Sequence, residues 1–86
     1  MRKDFFLGDY SQKRLELAAL EKEVSRRPRC NGVRVHIWRA SDGYVFDFDY
    51  KRRMLRHCCA VVEWWKRFLP SGSIVEVFYI CEVCYD

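Results

Sequence analysis

The feature that most constrains the fold of this chain is the segment 49–69, DYKRRMLRHCCAVVEWWKRFL. At about 100° per residue, its apolar side chains fall on one broad face, which is typical of a helix that packs against a core. That face holds Met54, Cys58, Val61, Val62, Trp65, Phe68 and Leu69. Asp49 is positioned to cap the start of the helix, and Pro70 and Gly72 follow its end. The pattern predicts a helix over residues 50–69.

A β-hairpin is predicted immediately before this helix. Apolar residues alternate with other residues over 32–40 and again over 44–49, which is the periodicity of a strand. Asp42 and Gly43 separate the two segments, and this dipeptide is typical of a two-residue type I′ turn. The expected cross-strand pairs are Ile37 with Phe48, Val35 with Tyr50, His36 with Asp49, and Trp38 with Asp47. The apolar side chains then share one face of the hairpin.

The N-terminal third is predicted to be an arm over residues 1–8 followed by a helix over 9–27. Asp9 and Gln12 have the spacing of a capping box, which favours a helix start at Asp9. The helix carries a narrow apolar stripe of Leu17, Leu20 and Val24. Pro28 ends it, because its ring disfavours helical backbone at the preceding residue.

A final strand is predicted over residues 74–85. The chain is therefore expected to form a single α+β domain over 1–86, with two layers in the order αββαβ. Two helices pack on a three-stranded sheet of order 2-1-3, and a right-handed crossover makes the last strand parallel to the second. The last strand is placed beside the first because Arg34 and His36 would then lie between acidic residues of both neighbours.

The composition fits a small core-forming domain with reduced thiols. Half of the 86 residues are hydrophobic, which is enough for a dense core without a metal or a disulfide. The chain has no run of about 18 apolar residues, so we expect no membrane span. Its five cysteines are an odd number, and nothing in the sequence marks secretion, so we expect a cytoplasmic protein.

The polar side of the second helix is the first candidate partner site. Its net basic surface and its tryptophan suit either a protein partner with an acidic surface or nucleic acid, and the plain alternative is a solvated helix face. The candidate residues there are Arg52, Arg53, Arg56, His57, Trp64 and Arg67. The net charge of +4 is modest for a dedicated nucleic-acid binder.

A second candidate surface is the outer face of the sheet. Trp38, Phe78 and Ile80 share this face in the expected register, and Trp38 and Phe78 complete the set of candidate partner-binding residues. The alternative is that the first helix or the apolar segment 5–7 covers them. A homodimer through this face, or strand addition at the sheet edge, is a further option.

The residues that could carry chemistry have simpler structural explanations. Cys81 and Cys84 have zinc-knuckle spacing, but in a strand they point to opposite faces, so we expect no metal and no cofactor. Cys58 and Cys81 suit buried apolar positions. Asp47 and Asp49 could hold a divalent cation for a nuclease, but a cross-strand ion pair with His36 and a helix cap explain them.

The sequence thus predicts a small non-enzymatic protein that acts by occupying a partner protein's surface. Phage or mobile-element inhibitors of host defence, such as anti-CRISPR proteins, are often of this kind, and such a protein would work in the host cytoplasm. That suggestion rests on size and on the absence of catalytic motifs. A basic nucleic-acid-binding domain is the alternative, and a metal-dependent nuclease comes third.

Overall fold

The computed structural model describes residues 2–82, which form four strands and two α-helices in the order βαββαβ. The elements are β1 (Arg2–Asp9), α1 (Leu17–Arg26), β2 (Cys30–Trp38), β3 (Val45–Lys51), α2 (Leu55–Phe68) and β4 (Ile74–Glu82). A single turn of 3₁₀ helix, Arg52–Met54, leads from β3 into α2. Residues 83–86, which include part of the predicted last strand, lie outside the described residues.

The sheet is antiparallel and has the order β1-β4-β2-β3, so the predicted three-stranded sheet of order 2-1-3 is wrong. The additional strand is β1, which was predicted to be an unpaired arm. An extra residue in β1 between Phe6 and Gly8 interrupts its pairing with β4. Such a bulge breaks the two-residue alternation by which a strand is recognised in a sequence. The prediction of an α+β fold with two helices is confirmed.

Each helix connects two parallel strands that have a third strand between them. The connection β1-α1-β2 crosses β4, and the connection β3-α2-β4 crosses β2. The last strand lies beside the first strand of the hairpin, as the charge pattern indicated, and it runs parallel to the second. The two central strands, β2 and β4, therefore come from different halves of the chain.

The core lies between the two helices and one face of the sheet. The strands contribute Val33, Val35, Ile37, Val75, Val77 and Tyr79, and the helices contribute Leu20, Val24, Leu55, Cys58, Cys59 and Val62. The predicted apolar face of α2 is only partly correct. Met54 and Phe68 were assigned to it but are 39% and 66% exposed, whereas Leu55 and Cys59 are buried.

Both helices begin later than predicted because the expected capping residues have other partners. The carboxylate of Asp9 accepts hydrogen bonds from the backbone N–H and the hydroxyl of Ser11, which forms a turn instead of a helix cap. The chain then runs along β4, where the N–H of Tyr10 donates to the carbonyl of Val75 at 2.7 Å. Asp49 lies within β3 and pairs with Arg34.

The hairpin loop has four residues, 40–43, instead of two, so the predicted register is wrong by two positions. The N–H of Arg39 donates to the carbonyl of Tyr44 at 2.9 Å, and the N–H of Gly43 donates to the carbonyl of Arg39 at 2.7 Å. The observed pairs are Val33–Tyr50, Arg34–Asp49, Val35–Phe48, His36–Asp47, Ile37–Phe46 and Trp38–Val45. A shift of two residues keeps every side chain on its predicted face.

Gly32 allows β2 and β3 to approach closely. A Cβ at this position would lie 2.0 Å from the carbonyl oxygen of Tyr50, so the strands would have to separate. We expect Gly32→Ala to lower the free energy of unfolding by about 2–3 kcal/mol, measured by chemical denaturation. Gly8→Ala is the control, because its Cβ would meet the Tyr10 ring at an ordinary 3.4 Å. Equal losses in the two variants would contradict this account.

The hairpin loop also predicts a pH dependence of stability. Hydrogen bonds from the Arg39 guanidinium and the Tyr44 N–H lower the pKa of Asp42 from 3.8 to about 2. Because the pKa of Asp42 is lowered in the folded state, its ionised carboxylate stabilises the fold above pH 3.8. This stabilisation is lost as the pH falls towards 2. We expect Asp42→Asn to be less stable than wild type at neutral pH, and the difference to shrink across that range. A difference that stays constant in acid titrations of stability would exclude this role.

Candidate functional site

The eight predicted partner-binding residues divide between two opposite sides of the molecule. Both helices pack on one face of the sheet, so the solvent side of α2 and the outer sheet face point in opposite directions. The α2 side carries Arg52, Arg53, Arg56, His57, Trp64 and Arg67, all exposed. The outer sheet face carries Trp38 and Phe78, both half-buried. These eight residues cannot form one continuous site.

The predicted apolar patch on the outer sheet face is also divided. Phe78 packs against Phe6 of β1, with ring centroids 5.4 Å apart. Trp38 lies at the other end of the face, and the row that pairs His36 with Glu76 separates it from Phe78. Ile80, the third predicted member, is only 1% exposed.

An arginine bridge holds the outer face together. Arg34 donates from Nε and Nη2 to the two carboxylate oxygens of Asp49 at 2.7 and 3.1 Å, and from Nη1 to Asp4 at 2.5 Å. Because β4 lies between β1 and β2, the bond to Asp4 crosses β4, beside the buried Ile80. One side chain therefore joins three strands across a fourth. Such a bidentate pair is stronger than an ordinary surface ion pair.

The candidate divalent-cation site is occupied by these ion pairs. Asp47 contacts Nδ1 of His36 at 2.7 Å, and Asp49 pairs with Arg34, whereas the sequence predicted a His36–Asp49 pair. Within residues 2–82, no three His, Cys, Asp or Glu side chains converge closely enough to hold a metal ion. The proposed partner of Cys81 in a zinc knuckle, Cys84, lies outside the described residues.

A continuous band of aromatic side chains runs from the hairpin loop to the solvent side of α2. This aromatic band consists of Tyr44, Phe46, Trp65, Trp64 and Phe68. Successive ring centroids are 4.7, 4.7, 5.7 and 4.9 Å apart, so each ring touches the next. Tyr44, Trp64 and Phe68 are 58%, 54% and 66% exposed. An exposed aromatic patch of this kind makes the band a candidate interaction surface.

Only Trp64 in this band was predicted as a site residue. Trp65 and Phe68 were assigned to the core, and Tyr44 and Phe46 to the hairpin alone. The available signal was the spacing of Trp64 and Phe68, because residues four apart lie on the same face of a helix. The contact between Phe46 and Trp65 is long-range, and only the fold brings these two residues together.

Cations lie on both sides of the aromatic band. Arg39 stacks on the rings of Tyr44 and Phe46, with 5.8 and 5.1 Å to the centroids. On α2, Arg56 and Arg67 are exposed and form no ion pair with any residue that the structure describes. Lys66 differs from them, because its Nζ donates to the carbonyl of Lys13 at 2.8 Å.

Arg52 is directed towards α1 and away from the band. Its Nη2 approaches the hydroxyl of Ser25 at 3.5 Å. The adjacent residues Lys51 and Arg53 line the same open depression, of about 750 Å³, at the end of β3. Arg52 and Arg53 therefore belong to this depression and do not border the aromatic band.

The two adjacent tryptophans have different environments, so we expect their replacement by alanine to change the stability of the protein by different amounts. Trp65 is half-buried against Phe46 and Phe48, whereas Trp64 is 54% exposed. We expect Trp65→Ala to lower the free energy of unfolding by about 2–3 kcal/mol and Trp64→Ala by less than about 1 kcal/mol. Chemical denaturation of the two variants measures this difference. The reverse order would show that the band is not positioned as described.

None of the described helices is long and apolar enough to span a membrane. Comparisons with protein-family models, with curated proteins and with solved structures each found no match. The aromatic band, with the arginines beside it, is the candidate functional site of this chain.

Proposed function

We propose that this protein is a non-enzymatic binding protein that acts by occupying a partner protein's surface through the aromatic band. The observation that carries the proposal is the unbroken series of ring contacts from the hairpin to α2, in which three of the five rings are more than half exposed. Tryptophan and arginine are the residue types that most often dominate interface energetics. Here Trp64 lies between Trp65 and Phe68 in the part of the band that α2 contributes. Arg56 and Arg67 lie on the same helix.

The ring geometry favours a protein surface over a strand of bases. The ring planes of Trp64 and Trp65 are 86° apart, and those of Trp64 and Phe68 are 51° apart. Rings in this arrangement cover parts of one another's faces and form one apolar surface, like the centre of an interface. Single-stranded nucleic acid instead stacks successive bases on open ring faces.

The charges beside the band favour a partner with acidic groups around an apolar centre. Arg56 and Arg67 form no ion pair within the described chain, so their charge is available to a partner. The protein's net charge of +4 has the same sign. Cations at an interface rim mainly increase the association rate and the specificity, while the aromatic centre supplies most of the affinity.

The biological role that we propose for such binding is inhibition by obstruction. A protein that covers a functional surface of its partner needs no chemistry of its own. An inhibitor of a host defence complex, encoded by a phage or mobile element, would act in this way, and this setting is suggested by size and by the lack of catalytic motifs.

The binding surface can be tested with variants that change only exposed rings. A partner is first isolated by pull-down from host lysate, and its affinity for each variant is then measured by calorimetry. We expect Trp64→Ala with Phe68→Ala to weaken binding by at least about 30-fold, as expected for interface hot spots. The control is Val45→Ala with Ile74→Ala, which removes 41% and 39% exposed side chains from the opposite sheet face.

Two outcomes would contradict the proposal. Unchanged affinity in the Trp64/Phe68 variant, with loss in the Val45/Ile74 variant, would move the site to the outer sheet face. Tight binding of DNA or RNA that weakens steeply with salt, and is lost when Arg53, Arg56 and Arg67 become alanine, would identify a nucleic-acid binder.

A further inference from the structure

Two cysteines face each other across the central strands of the sheet. Cys30 at the start of β2 is paired with Cys81 near the end of β4. Both are free thiols, and they are 2% and 3% exposed. The thiol of Cys30 donates to the carbonyl of Gly32 at 3.4 Å, and burial, with a contribution from the neighbouring Cys81 thiol, raises the pKa of Cys30.

The backbone hydrogen bonds place this pair at a position that suits a disulfide. The N–H of Glu82 donates to the carbonyl of Arg29 at 3.0 Å. This hydrogen bond therefore joins the residue after Cys81 to the residue before Cys30, and not the two cysteines themselves. Cys30 and Cys81 are therefore a non-hydrogen-bonded pair, in which the Cα atoms are about 4.5 Å apart. Disulfides span Cα distances of about 4.4–6.8 Å, so the backbone needs no large movement.

We propose that Cys30 and Cys81 are an oxidisable dithiol, a modification site that a peroxide converts into a disulfide between β2 and β4. The proposal is independent of the aromatic band, which contains neither cysteine. The sequence drew attention to Cys81 with Cys84, but the fold places Cys30 opposite Cys81.

Cys81 is the thiol that a small oxidant reaches first. It lines a surface opening of about 470 Å³ next to α1, together with Phe5, Glu23, Arg26, Arg27 and Pro28. Cys30 does not line this opening, and burial raises the pKa of its thiol. The geometry therefore assigns the attacking role to Cys81 and the resolving role to Cys30.

The oxidation balances with hydrogen peroxide as the only co-reactant. The Cys81 thiolate attacks one peroxide oxygen, the O–O bond breaks, and the products are Cys81 sulfenic acid and one water after proton transfer. The Cys30 sulfur then attacks the Cys81 sulfur, the S–O bond breaks, and a second water leaves. Two thiols lose two electrons and two protons, and one peroxide is reduced to two waters.

The other described cysteines lack this arrangement. Cys58 is fully buried in α2, and burial raises the pKa of its thiol to about 12, so it stays protonated at neutral pH. Cys59 is the next residue along α2, and burial raises its pKa as well. A helix directs adjacent side chains about 100° apart, so these two thiols do not face each other.

Peroxide treatment followed by peptide mapping tests the proposal. Cleavage after Arg29 and Arg34, and after Glu76 and Glu82, releases peptides 30–34 and 77–82 and separates Cys81 from Cys84. We expect the two peptides to be joined after oxidation, with a loss of two hydrogen atoms that dithiothreitol reverses. Because the link closes a long loop, we expect the melting temperature to rise by about 10 °C.

Two variants serve as controls. Cys58→Ala keeps the dithiol and should show the same linked peptides and a similar rise in melting temperature on oxidation. Cys30→Ser should show neither. The wild-type mapping needs no variant, so the test stands if Cys30→Ser folds poorly. A link between Cys81 and Cys84, or recovery of both reduced peptides under conditions that oxidise free cysteine, would overturn the proposal.

Discussion

The structure depends on the alternation of side chains along its two central strands. Val35 and Ile37 of β2, and Val75 and Val77 of β4, are at most 1% exposed, so this face of the sheet must be covered. Both helices therefore pack on the same side, and the other side of the sheet faces solvent. The aromatic band follows from this arrangement, because Phe46 on the edge strand β3 points to the helix side and meets Trp65.

The sequence predicted those features that depend on local periodicity. The faces of β2 and β3 are as expected, because an error of two residues in register leaves the alternation intact. The helix starts and the register were wrong because they depend on where single polar side chains find partners. Asp49 suits a helix cap by sequence, but Arg34 of the neighbouring strand is its partner. Similarly, the carboxylate of Asp42 accepts a hydrogen bond from Arg39, and this contact stabilises a four-residue loop in place of the predicted two-residue turn.

The features that the sequence did not predict come from long-range contacts. The strand β1 forms only because β4, from the other end of the chain, offers it an edge, and its bulge hides the alternation. The aromatic band combines residues from the hairpin and from α2 that no periodic pattern connects. Cys30 and Cys81 are likewise far apart in sequence and adjacent in the sheet. Periodicity indicates which face a residue occupies, and the strand order decides which residues it meets there.

The exposed rings of the band contribute little to the core, and this is the physical reason to regard them as a site. Tyr44, Trp64 and Phe68 are not among the buried hydrophobic residues, and the core beneath α2 is already filled by Cys58 and Val62. Polar residues at the three exposed positions would keep the same helix and hairpin and make the surface more soluble. An exposed aromatic cluster beside arginines that have no ion-pair partner in the described chain is therefore the surface on which the proposed binding function rests.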